Sequence, residues 1–210
     1  MLETPVTGGK VSLYNENPQG AIHPTPTIGM VGLVESLAHV TPSAFQQEGD
    51  EIVLLGECTD ELGASEYLLT VHGLTIGEPP VCDPAVERRL IDALLESIGA
   101  GVVRSAHDCS DGGLAVAVAE MAIASGQGVK SEPNIAGGPR RDAAWFGEAP
   151  SRILLAVPND HYERALSAHL PSPARLTPMG LFGGDVIRLG NDADILVTEA
   201  ERAFESALRD

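Results

Sequence analysis

Aromatic residues are scarce in this 210-residue sequence, with one Trp, three Tyr and four Phe. Basic residues are scarce too: 13 Lys and Arg face 30 Asp and Glu, a formal net charge of −17. A chain without a basic stripe interleaved with aromatics has no electrostatic footprint for nucleic acid. A nucleotide is still admissible, because glycine amides and a bound metal can hold phosphates inside an acidic protein. No apolar run approaches the ~20 residues that cross a bilayer, so no membrane partner is expected. The N-terminus, MLETPVTGGK, lacks the basic-then-apolar layout of a secretory signal. Cysteine is limited to Cys58, Cys82 and Cys109, an odd number with no metal-type spacing. Reduced thiols in a cytoplasmic chain follow, with Cys109 read as a small apolar filler instead of a nucleophile. His23, His39, His72, His161 and His169 are scattered without ligand spacing and read as surface or capping residues.

What is present is an ordinary apolar fraction, 43%, in a chain long enough for a real core in one or two domains. The densest chemistry lies in HDCSDGGLAVAVAE, His107 to Glu120. A strand over Val102–Ala106 is expected to lead through a glycine turn into a helix over Gly113–Ser125. Asp111 stands where an N-cap belongs, its carboxylate available to first-turn N–H groups. Gly112 and Gly113 allow close approach of backbone or of a phosphate, which the helix dipole would favour. Two readings stay open: a phosphate contact, or a structural strand–helix joint. His107 beside Asp108 has the make-up of a general base held by a carboxylate, and equally of a buried, hydrogen-bonded histidine.

Elsewhere the pattern predicts strands at Val11–Tyr14, Thr27–Val34, Ile52–Leu55, Ile153–Val157 and Val186–Leu189. Helices are expected over Leu62–His72, Tyr162–Leu170 and Ile195–Leu208. The best-signalled helix opens at Asp83-Pro84, with aspartate as N-cap and proline at the first helical position. It runs on Val86, Leu90, Ile91, Leu94, Leu95 and Ile98 to Gly99. Gly128 to Arg141 reads as loop, and Trp145-Phe146 as a core or interface anchor. The irregular alternation gives an α/β or α+β class, not a doubly wound sheet.

Four segments carry a resemblance: GGKVSLYNE (Gly8–Glu16), HPTPTIGMVGLVE (His23–Glu35), HDCSDGGLAVAVAEM (His107–Met121) and GEAPSRILLAV (Gly147–Val157). In this order they resemble the synthetase component of phosphoribosylformylglycinamidine synthase, from about Thr4 to the C-terminus. The resemblance implies two halves, each a β-rich N-terminal-type module followed by an α/β C-terminal module. Residues 1–50 then match the end of the second β-rich module. Residues 51–210 match the aminoimidazole ribonucleotide synthetase-like C-terminal module. The expected chain is a fragment: the first half, with the family's catalytic histidines, is absent, so no catalytic residue is assigned.

The implied reaction belongs to purine biosynthesis. ATP activates the formamide oxygen of formylglycinamide ribonucleotide, and ammonia from glutamine displaces phosphate to give the amidine. By the same resemblance Gly9 matches an ATP-contacting position and Ser12 a substrate-contacting one. Between them the family's Mg²⁺ ligand, an asparagine, is replaced by Lys10, whose ammonium has no lone pair to offer a metal. Asp108, Asp111, Gly112 and Gly113 match either an auxiliary nucleotide site or a joint. Arg152 would bind a phosphate or pair with Glu148. The implied partners are the remaining synthetase modules, a glutaminase subunit and a small accessory subunit. A non-catalytic scaffold and an auxiliary nucleotide-binding module are the alternatives.

Overall fold

The computed structural model describes residues 4–10, 15–131, 140–158 and 175–207. The chain divides into two units, Met1–Val40 and Thr41–Asp210. In the first, Val6–Lys10 (β1) pairs antiparallel with Thr27–Met30 (β4), and Glu16–Asn17 (β2) pairs with Gly20–Ala21 (β3). None of the described side chains in 4–40 is buried, and Val6, Ile28, Met30, Val31 and Leu33 are each more than half exposed. Among the described residues this ribbon has hydrogen-bonded strands but no apolar core of its own.

The second unit is built on a sheet whose order is β11-β10-β7-β9-β5-β8-β6. In chain order its elements are Glu51–Leu55 (β5), Glu66–His72 (α1), Pro84–Gly99 (α2), Ser105–Asp108 (β6) and Gly113–Ser125 (α3). Val129–Ser131 (β7), Arg141–Phe146 (α4), Ile153–Val157 (β8) and Leu176–Phe182 (β9) follow. Val186–Leu189 (β10), Ala193–Leu196 (β11) and Val197–Ser206 (α5) close the described part. Among the described residues every strand pair of this sheet is antiparallel except β7 with β10. The mixed α/β class expected from the sequence is what forms.

The side-chain alternation of β5 and β8 explains why this sheet is covered on both faces. Ile52, Leu54, Leu154 and Ala156 point to one side, where α3 supplies Leu114, Val118 and Met121 and α4 supplies Trp145. Val53, Leu55, Leu155 and Val157 point to the other, against Leu90, Leu94 and Ile98 of α2. Because β5 and β8 bury both faces, they read as continuous apolar runs. Helix α3 is apolar nearly all round and seven of its residues are buried, as a helix wedged in a core must be.

Helix α2 forms as its sequence dictates: Asp83 Oδ1 accepts from the N–H groups of Ala85 (2.8 Å) and Val86 (3.4 Å), with Pro84 at the first position. Other expectations shift. The strand expected over Val102–Ala106 lies at Ser105–Asp108, because pairing sets Ser105 opposite Ala156 and Asp108 opposite Ile153. The C-terminal helix begins at Val197 and not at Ile195, since Ala193–Leu196 is drawn into pairing with β10. Among the described residues β1, β2, β3, β7, β9 and β11 lie where no strand was expected. β7 has only three residues, and β9 carries Pro178 and Gly180 where it meets a register irregularity in β5. The expected helix over Tyr162–Leu170 and strand over Val11–Tyr14 lie outside the described residues. No helix among the described residues is long and apolar enough to cross a membrane.

Candidate functional site

The joint between β6 and α3 is made by two glycines in the left-handed region, Gly112 (φ 76°) and Gly113 (φ 67°). At Gly113 the conformation is reinforced by space: a Cβ there would run into the Gly147 carbonyl oxygen and the backbone of Trp145 and Phe146. The expected N-cap at Asp111 is corrected. Gly112 occupies the cap position, no side chain of the turn caps the helix, and Asp111 is exposed. The two left-handed residues place Asp111 one position too early for its carboxylate to reach the first turn.

The anion at this helix start is Glu148. Its Oε1 accepts from the Gly112 N–H at 2.8 Å and from the Glu66 N–H, the first residue of α1, at 2.9 Å. One carboxylate thus meets the positive ends of two helices. Helix α1 is further tied down by its own cap, Ser65 accepting from the Leu68 N–H, and by Tyr67 stacked on Phe146 of α4 (4.9 Å between centroids, 11° between planes).

Arg152 does neither thing expected of it. It is 3% exposed, and its Nε donates to the Ala149 carbonyl (2.9 Å) while Nη2 donates to the Gly147 carbonyl. Nη1 is buried without a hydrogen-bond partner. The guanidinium therefore closes the 147–152 loop from inside. Next to it, burial pushes the Cys109 thiol up to about 12, outweighing the opposing pull of Arg152. A thiol held protonated and packed in the core is a filler, as expected.

His107 is drawn into β6. Its Nδ1 is 2.7 Å from the Asp108 backbone carbonyl, and its Nε2 is 3.4 Å from the Glu120 carboxylate. The Asp108 carboxylate lies 3.8 Å from the same Nδ1 through one oxygen and accepts from the Ser110 hydroxyl through the other. Of the sequence-derived residues, Asp108, Asp111, Gly112 and Gly113 are brought to this one joint. Glu148, which organises it, was singled out only for its neighbour Arg152. An acid 36 residues away from the turn it caps leaves no local pattern to find.

Gly9 and Lys10 lie on β1 in the first unit, opposite Ile28 and Thr27. A Cβ on Gly9 would collide with the Thr27 carbonyl oxygen, so strand pairing alone requires glycine there. Lys10 Nζ donates to Asn15 Oδ1 at 3.4 Å. The family's Mg²⁺ does not fit this position: an ammonium already donating to an amide oxygen offers no lone pair. Among the described residues no group of three or more His, Cys, Asp or Glu side chains is placed to hold a metal ion. Ser12 lies outside the described residues.

A Moorella thermoacetica protein named phosphoribosylformylglycinamidine synthase subunit PurL is 46% identical over 184 residues, 88% of this chain and 25% of that one. Its Alkaliphilus metalliredigens namesake is 39% identical over 208 residues, 99% of this chain and 28% of the other. The chain thus spans about a quarter of the length of the curated relatives it matches. Among solved structures, Thermotoga maritima PurL complexed with FGAR superposes with a TM-score of 0.61 at 17% identity, covering 84% of this chain and 31% of that one. The complex of the same protein with ATP gives 0.60 at 19%, covering 84% and 28%. PurLQS from Thermotoga maritima gives 0.57 at 20%, covering 83% and 29%. These likenesses speak to the fold alone. Residues 47–169 match the model of the family described as AIR synthase related protein, C-terminal domain. With that match over more than half its length, the chain belongs to the AIR synthase related proteins and carries their C-terminal domain.

Proposed function

We propose that this chain supplies the C-terminal α/β module, preceded by the end of a β-rich N-terminal-type module, of a cytoplasmic phosphoribosylformylglycinamidine synthase. In this reading residues 1–50 are that β-rich tail and 51–210 the C-terminal module. The observation that carries the reading is identity of 39% over 99% of the chain to a subunit of that name, with all four motifs included. ATP supplies the activation of the formamide oxygen in the assembled enzyme. Gly9 leaves bare backbone beside Thr27, and Ser12 offers a hydroxyl to substrate. The remaining synthetase modules, a glutaminase subunit and a small accessory subunit complete the assembly.

The second-half module acts in this reading as a rigid frame with no catalytic residue. Support comes from Glu148, which already takes the Gly112 N–H that an auxiliary phosphate would need. The turn at Asp108, Asp111, Gly112 and Gly113 is therefore better explained as a joint than as an auxiliary nucleotide site. Mg²⁺ is left to residues elsewhere in the synthase, since Lys10 does not serve it.

A chimera tests the proposal. The segment of the Alkaliphilus metalliredigens subunit that this chain matches is replaced by this chain, and amidine formation from formylglycinamide ribonucleotide, ATP and ammonium is measured. Activity in the chimera, or activity recovered by Lys10→Asn, supports the assignment. A folded chimera inactive in both forms overturns it.

A further inference from the structure

A cleft of about 360 Å³ opens between the start of α2, the end of β5 and the 149–151 loop, entirely within the second unit. That volume falls in the ~300–1,000 Å³ range of small-ligand sites. Leu55, Val86, Leu90, Ala149 and Pro150 make one apolar wall.

Among the described residues the polar groups around it are committed, with one exception. Asp83 caps α2. Glu61 accepts from the Thr59 hydroxyl (3.0 Å) and the Val81 N–H (3.4 Å). Glu57 and Arg175 pair at 3.7 Å. Arg89, one helical turn beyond Val86 and facing the same cleft, has no hydrogen bond or ion pair with any described residue. Among the described residues Arg89 is thus the lining cation with donors to spare, beside an apolar wall and in a cleft whose acids, Glu57, Glu61 and Asp83, are already engaged.

The 149–151 loop that contributes Ala149 and Pro150 to this wall is strained. Ser151 is a non-glycine residue at φ 59°, in the left-handed region that side chains rarely adopt. Its hydroxyl donates to Glu87 of α2 at 2.5 Å, which holds the loop across the cleft from the helix. The GEAPSR motif thus does two things. Glu148 and Arg152 build the joint, and Ala149, Pro150 and Ser151 form a wall of this cleft.

We propose that the cleft binds a compact small molecule with an anionic head on an apolar body, Arg89 taking the head and the Val86–Leu90 face of α2 taking the body. The anion is a phosphomonoester or a carboxylate, and the probes separate the two.

The test is titration of the full 210-residue chain, followed by calorimetry and backbone-amide NMR. The probes are phenyl phosphate, benzoate, inorganic phosphate, benzyl alcohol and benzylamine. Phenyl phosphate or benzoate binds at about millimolar or tighter, shifting the amides of Val86, Arg89 and Ala149, and inorganic phosphate and benzylamine bind at least tenfold more weakly. Preference between the two aromatic acids assigns the head group. Arg89→Gln weakens the acids about tenfold and leaves benzyl alcohol unchanged. Arg89 is exposed, so this variant retains the fold, checked by an unchanged melting curve. Acids that bind Arg89→Gln as well as wild type, or benzylamine binding as well as the acids, overturn the proposal. So does the absence of shifts at the three amides.

Discussion

Glu148 accepts the Gly112 N–H at 2.8 Å, so the helix start that the motif HDCSDGG creates is neutralised by an acid from a different loop. The same oxygen holds the Glu66 N–H. Two helices and the loop after α4 therefore depend on one carboxylate.

Removing that carboxylate has a measurable cost. Glu148→Ala leaves two backbone donors at helix starts without their acceptor, one of them open to water, and is expected to destabilise the second unit by about 1–2 kcal/mol. Glu148→Gln keeps an acceptor oxygen and loses the charge, so it retains roughly half of that stability. Urea unfolding of the two variants decides. Equal stability of Glu148→Ala and wild type would remove the clamp from the account.

Gly113 faces carbonyl oxygens on the one side where a side chain would project. Gly113→Ala must leave the left-handed region or push the 145–147 backbone away, at about 2 kcal/mol or more. A thermal melt within about a degree of wild type would show that the joint is slack.

Asp50 is 2% exposed, and burial holds its carboxyl above the usual carboxylate range even though Arg104, 2.6 Å away, pulls it down. An acid whose folded value is raised binds its proton more tightly when folded. Its stabilising contribution is complete below the unfolded value near 4 and is lost as pH rises through the folded value. Asp50→Asn cannot titrate, so its denaturation midpoint falls less steeply than that of wild type as pH climbs from about 4. Identical slopes in the two proteins would contradict the assignment of this cost to Asp50.

The three thiols differ in environment: Cys82 is exposed, Cys58 half-buried and Cys109 buried with its proton held up to about 12. A thiol reagent at pH 8 is expected to modify Cys82 quickly and Cys58 slowly, and Cys109 only after denaturation. Peptide mapping identifies the order. Modification of Cys109 in the native protein at the rate of Cys82 would show that the core around it opens.

Much of this protein is legible along the chain because its causes are local. Asp83-Pro84 and the period of Val86, Leu90, Leu94 and Ile98 define α2 from within. The run ILLAV marks β8, and the alanine-rich stretch after Gly113 marks α3, since each must fill a buried space whatever surrounds it. The ordered motifs carry the family in the same way. What only the tertiary structure decided depends on residues far apart. Pairing with Ile153–Ala156 moves β6 onto His107 and Asp108. The cap of α3 passes from Asp111 to Glu148, and Arg152 turns inward to backbone carbonyls instead of outward to an anion. A helix period or a proline acts within a few residues. A carboxylate shared by two helix ends, or a guanidinium closing a loop, exists only once the sheet brings its neighbours within hydrogen-bonding distance.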